Sequence, residues 1–125
     1  MTNVVRHMLQ RMRSIIGPRF SLVEAEDDFP AVMRKRTLYV LAEDGQVWAA
    51  AMTCPCGCKA ILHLNLLADQ RPCWHLNLRD GGSLMPSVWR KDHCGAHFWF
   101  REGRVHWTAD QRNTLWRDLR LRLGR

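Results

Sequence analysis

The residues that could do chemistry in this chain stand close together. The stretch MTCPCGCKA, residues 52–60, places Cys54, Cys56 and Cys58 at alternate positions. Thiols this close cannot bridge one another without strain. Three small side chains also fill little core, so neither disulfides nor packing explains the crowding. Metal ligation does. A tetrahedral zinc takes four thiolates or imidazoles, and a turn shaped by Pro55 and Gly57 can present two or three of them. The remainder must come from far along the chain, where CGAH, residues 94–97, offers Cys94 and His97 across a two-residue gap. The set could close as four cysteines, or as three with His97 as the fourth ligand. Thiolate-rich ligation donates much charge and leaves a weak Lewis acid, so Zn2+ held here reads as structural. A redox dithiol is the weaker reading, because CxxC is absent. Cys73, alone beside Trp74, reads as a small hydrophobe.

A second chemistry is available to the same region. A serine nucleophile needs a base within hydrogen-bond reach and a group that orients the base. Ser87 and His97 fall on two predicted strands joined by WRKDHCGA, and antiparallel pairing would set them opposite one another. Asp92 or Asp80 would then orient the imidazole. Following Pro86, Ser87 is equally at home as an ordinary turn residue. His97 cannot be both ligand and base, since a ligated nitrogen takes no proton. If Cys54, Cys56, Cys58 and Cys94 close the zinc site, His97 is released for catalysis; if Cys56 is spare, His97 is the fourth ligand. His63, His75, His93 and His106 read as ordinary surface or strand residues.

The elements that must position these groups are mostly strands. Asp44-Gly45 sits between two apolar runs in TLYVLAEDGQVWAAAMTC and marks a hairpin. AILHLNL alternates Leu62, Leu64 and Leu66 with Ile61, His63 and Asn65, and CWHLNLRDGG ends in a turn at Asp80-Gly81-Gly82. SLMPSVWR predicts one short strand whose proline suits an edge, and AHFWFREGRVHW a hairpin turning at Glu102-Gly103. Trp89, Phe98, Trp99, Phe100 and Trp107 supply aromatic core, with the opposite face able to grip an extended peptide. At the termini the period changes. Val4, Val5, Met8, Leu9, Met12, Ile15 and Ile16 recur at helical spacing over 4–16 and stop at Gly17-Pro18. Thr108 with Gln111 makes a capping box opening a helix over 109–123. The expected fold is therefore α+β: one compact, β-rich, zinc-binding domain over 1–125 with a helix at each terminus.

Composition narrows the class. No apolar run reaches the length of a membrane span, and the arginines scattered through the first residues make a poor secretory signal. Cytoplasm is therefore the default, and five cysteines, an odd number, argue against a complete disulfide framework. The net charge of +7 invites a nucleic-acid reading, but the basic residues are dispersed along the chain and suit a solvated surface or an acidic protein partner.

The order LYV…CPCGC…LMPSVW…CGAHFWF..GRVHW, over about residues 37–107, resembles a family of small bacterial proteins first catalogued as a domain of unknown function. Its members are found beside ubiquitin-like proteins and E1-, E2- and JAB-like enzymes in ubiquitin-like conjugation operons linked to phage defence. The resemblance implies a zinc-stabilised, deubiquitinase-like peptidase of serine type that trims or removes a ubiquitin-like protein. The alternative is a non-catalytic zinc module that binds that protein or its E1 and E2 enzymes. The matching positions are Cys54, Cys56, Cys58, Pro86, Ser87, Cys94, His97 and Trp99. One departs from the pattern: the family often reads C-x-S-H-aromatic where this chain has Ala96, so a nucleophile placed there would be missing.

Overall fold

The structure is a computed structural model that describes residues 17–109. Within that span every regular element is a strand. Nine of them run in chain order as β1 (Ser21–Ala25), β2 (Thr37–Glu43), β3 (Gln46–Thr53), β4 (Ile61–Asn65), β5 (His75–Asn77), β6 (Ser83–Met85), β7 (Val88–Trp89), β8 (His97–Arg101) and β9 (Arg104–Trp107). The α+β expectation is thereby corrected to a β-rich fold. Its helices over 4–16 and 109–123 lie outside the described residues, apart from Ala109. Between them Gly, Pro and period-two alternation recur too often for any segment to sustain helical turns.

The strands form three sheets: β1-β2-β3-β4, β5-β6 and β7-β8-β9. β2 lies between β1 and β3 and is buried along its first five residues. Alternation then selects the core face. Val40 stands opposite Ala50, Ala50 opposite Leu64, and Met52 opposite Leu62. These residues join Phe98, Phe100, Val88 and Val105 of the three-stranded sheet, and Leu76 and Leu84 of the two-stranded one, in a single apolar cluster. The hairpins turn where expected, with both Asp44-Gly45 and Glu102-Gly103 at positive φ, the geometry that matches strand twist.

Two features depart from the sequence reading. β1 is a strand that the sequence reading does not mark, and it pairs with β2 in parallel. Four of its five residues are exposed, so burial leaves no alternation to read. SLMPSVWR is two strands in two different sheets, because Pro86 has no N–H to continue a ladder. That break matters, since it leaves Ser87 at the junction, one residue before β7.

Candidate functional site: a serine–histidine pair beside a four-thiol centre

β7 and β8 pair antiparallel, with Val88 opposite Phe98 and Trp89 opposite His97. The Arg90 N–H donates to the Ala96 carbonyl at 2.8 Å, which makes the adjoining Trp89 and His97 the non-hydrogen-bonded, closer pair. Side chains in such a pair approach most nearly. The Trp89 indole accordingly stacks on the His97 ring, centroids 4.9 Å apart and planes within 15°. Lys91 Nζ lies 5.4 Å from the Trp89 ring centroid.

Ser87 lies two residues before Trp89, where alternation brings its side chain back to the same face. Its Oγ is 3.0 Å from His97 Nε2, hydrogen-bonded across the hairpin. The backbone on both sides is held. The Trp74 indole N–H donates to the Ser87 carbonyl at 3.3 Å. The His97 carbonyl accepts from both the N–H and the hydroxyl of Thr108. Of the two acids expected to orient His97, Asp80 is committed to its own turn, accepting from the Gly82 N–H and the Ser83 hydroxyl. Asp92 lies in the exposed loop between β7 and β8.

The hairpin loop, residues 90–96, also delivers Cys94. The Arg90 carbonyl accepts from the N–H groups of His93 and Gly95, and Gly95 takes the left-handed conformation (φ 79°) that folds Cys94 back towards the β3–β4 turn. There the Cys54 N–H donates to Ala60, closing a tight turn around Cys56 and Cys58. The four sulfurs of Cys54, Cys56, Cys58 and Cys94 lie within 4.8 Å of one another. Cys54 Sγ is 3.3 Å from Cys56 Sγ and 3.7 Å from Cys94 Sγ. Four sulfurs at about 2.3 Å around a tetrahedral zinc would stand roughly 3.8 Å apart. The cluster is thus near the size of a loaded site before any ion is considered, and the residues fit one.

The thiol chemistry agrees. Burial, and then the contact with Cys54, push the Cys56 thiol up to about 12. The Ala60 backbone N–H, and then Cys56, bring Cys58 down to about 7. Burial raises Cys54 as well. Four thiolates this close repel one another, and a divalent metal among them makes all four favourable at once. The Arg90 guanidinium is 3.6 Å from both Cys58 Sγ and Cys94 Sγ, adding positive charge at the rim.

The predicted site residues therefore separate into two groups. Four cysteines assemble without His97, and His97 meets Ser87. Ala96 belongs to neither: it is 1% exposed and sits in the apolar core beside Phe98. Cys73 stands apart from the sulfur cluster, against Arg71. The residues missed from sequence are the supports: Trp74, Trp89 and Arg90. Register alone could have found Trp89, because whatever faces His97 across the ladder must be its neighbour.

A hydroxyl bonded to an imidazole nitrogen on a rigid strand pair is the arrangement on which serine hydrolases are built, and a four-thiol centre is typical of structural metal sites. Residues 25–108, about two thirds of the chain, match the family described as bacterial ubiquitination-like system serine protease (BubE), and the chain belongs to that family. No curated protein and no solved structure matches it.

Proposed function

We propose that this protein is a serine peptidase that cleaves a bacterial ubiquitin-like protein, either maturing its C-terminus or releasing it from targets, with Ser87 as nucleophile and His97 as general base. The observation that carries this is the 3.0 Å contact between Ser87 Oγ and His97 Nε2. In the first step Ser87 Oγ attacks the scissile carbonyl carbon and His97 Nε2 takes the hydroxyl proton. The C–N bond then breaks as His97 returns that proton to the leaving amine, leaving an acyl group on Ser87. Water then gives a proton to His97 and attacks the ester carbonyl; the C–Oγ bond breaks as His97 passes that proton to Ser87 Oγ, which frees the acid and restores the serine. Trp89 and Trp74 hold the imidazole and the nucleophile's backbone, respectively.

Cys54, Cys56, Cys58 and Cys94 would hold a zinc ion that supplies no reacting group and ties the β3–β4 turn to the hairpin carrying both reacting side chains. A hydroxyl at position 96 would enter the core rather than meet His97, which supports Ser87 as the nucleophile.

The test offers a ubiquitin-like protein with a C-terminal peptide extension to the unaltered protein and to Ser87→Ala. Cleavage is expected from the first, and a loss of about four to six orders of magnitude from the second. Cleavage that survives Ser87→Ala would place the nucleophile elsewhere.

A further inference from the structure

Two strands that line one cleft, β4 and β7, each leave one edge unpaired. β4 bonds to β3 on one side only, and β7 to β8 on one side only. Along β4, the Ala60 carbonyl and the Leu66 N–H bond to β3. In an antiparallel ladder the direction alternates, so Leu62 and Leu64 also turn inward while Ile61, His63 and Asn65 direct their N–H and C=O groups outward. The Asn65 carbonyl confirms the direction by accepting from the Trp74 N–H. Along β7, the Arg90 N–H bonds to β8, so Ser87 and Trp89 face outward, and the Ser87 carbonyl accepts from the Trp74 indole. Among the described residues, the outward backbone groups of Ile61, His63 and Trp89 meet no strand.

Trp74 thus spans the gap at one end, bonding Asn65 through its backbone and Ser87 through its ring. The other end is spanned by the thiol centre, where Arg90 reaches Cys58. β4 runs away from the thiol centre and β7 runs towards it, so the two open edges are antiparallel. The cleft they border has a volume of 290 Å³, with Leu62, Leu64 and Val88 along its length and Ile61 and Trp89 exposed at its sides.

We infer that this cleft is the substrate's seat: an extended peptide segment enters as an added strand between the edges of β4 and β7, hydrogen-bonded to the outward backbone groups of Ile61 and His63 on one side and of Trp89 on the other, which brings its backbone towards Ser87. The occupant is an extended peptide because backbone donors and acceptors on both walls recognise a strand, and because the cleft adjoins the serine–histidine pair. Recognition of this kind is insensitive to most side chains and demands an unfolded tail. This inference rests on the peptidase reading for its substrate, and the following measurement separates the two.

A fluorescent peptide matching the C-terminal tail of a bacterial ubiquitin-like protein, continued past its end, is titrated by anisotropy against the Ser87→Ala protein. Copies carrying one N-methyl group at successive amides follow. A strand bonded on both sides points consecutive amides to opposite walls, so N-methylation at each of two or three consecutive positions should weaken binding at least tenfold. Ile61→Glu, which sets a charge on the β4 edge, should weaken the unmodified peptide by a similar factor. Weakening at alternate amides only would mean pairing with a single edge and would overturn the two-edged seat; no dependence on N-methylation would overturn strand addition altogether. Because binding is read without cleavage, the expected pattern in a protein that never cuts would uphold the cleft and end the peptidase reading. Cutting without the pattern would do the reverse.

Discussion

The four thiols and the serine–histidine pair draw on one hairpin, yet they are built in opposite ways. The thiol centre takes three of its members from five consecutive residues, and its geometry is set by a single turn closed by the Cys54–Ala60 bond. The pair takes one residue from each arm of the β7–β8 hairpin, and its geometry is set by register: slide β7 by one residue and Ser87 faces the core. What is local is robust by itself, whereas what depends on register must be pinned. Cys94 lies between the two arms, so a metal held there fastens the loop that fixes the register. Dependence should therefore run one way, with the pair needing the centre and the centre indifferent to the pair.

The largest expected effect breaks that asymmetry if it can be broken. Cys94→Ser, or prolonged chelation, should remove the bound metal, lower stability by several kcal/mol, and abolish cleavage although every reacting atom is still present. Ser87→Ala should abolish cleavage with metal content and melting temperature unchanged. Metal analysis, thermal melts and cleavage assays on the same preparations check both. Full cleavage by a metal-free Cys94→Ser protein would show that the centre does not hold the hairpin.

The same contrast explains what could be read from the chain alone. Cys54, Cys56 and Cys58 announce themselves because their chemistry is written within one turn, and Cys94 follows because a tetrahedral site needs a further ligand from elsewhere in the chain. Ser87 and His97 were legible only as an inferred register, and the role of His97 stayed open until the four sulfurs closed without it. The hairpins at Asp44-Gly45 and Glu102-Gly103 were legible because their turn chemistry is local. β1 was not, because its exposed side chains carry no alternation and its parallel partner lies across a long loop. Trp74 and Arg90 were not, because what matters in them is a single long-range hydrogen bond from an indole and a guanidinium whose direction no local pattern records.

A smaller effect sharpens the register argument. If Trp89 holds the imidazole plane by stacking, Trp89→Leu should lower kcat by about tenfold with little change in KM. Trp89→Phe, which keeps an aromatic face, should recover most of the loss. Single-turnover kinetics would separate this from a role in gripping substrate, for which KM would rise and kcat would hold. Metal content should be unaffected by either substitution.

The smallest effect concerns Ala96, the position where the resemblance drawn from the sequence led us to expect serine. One reading of that difference is a disabled enzyme in which Ala96→Ser would restore the nucleophile. The geometry argues otherwise. Ala96 precedes β8 by one residue, its side chain alternates away from that of His97, and it is 1% exposed among Phe98, Val88 and their neighbours. A hydroxyl introduced there meets apolar groups, and burying it without a partner costs about 1–3 kcal/mol. The Ala96→Ser protein should melt a few degrees lower and cleave no faster than the unaltered one. Paired with Ser87→Ala it should remain inactive. Cleavage by the double variant would move the nucleophile to position 96, and with it the face of the hairpin on which the chemistry takes place.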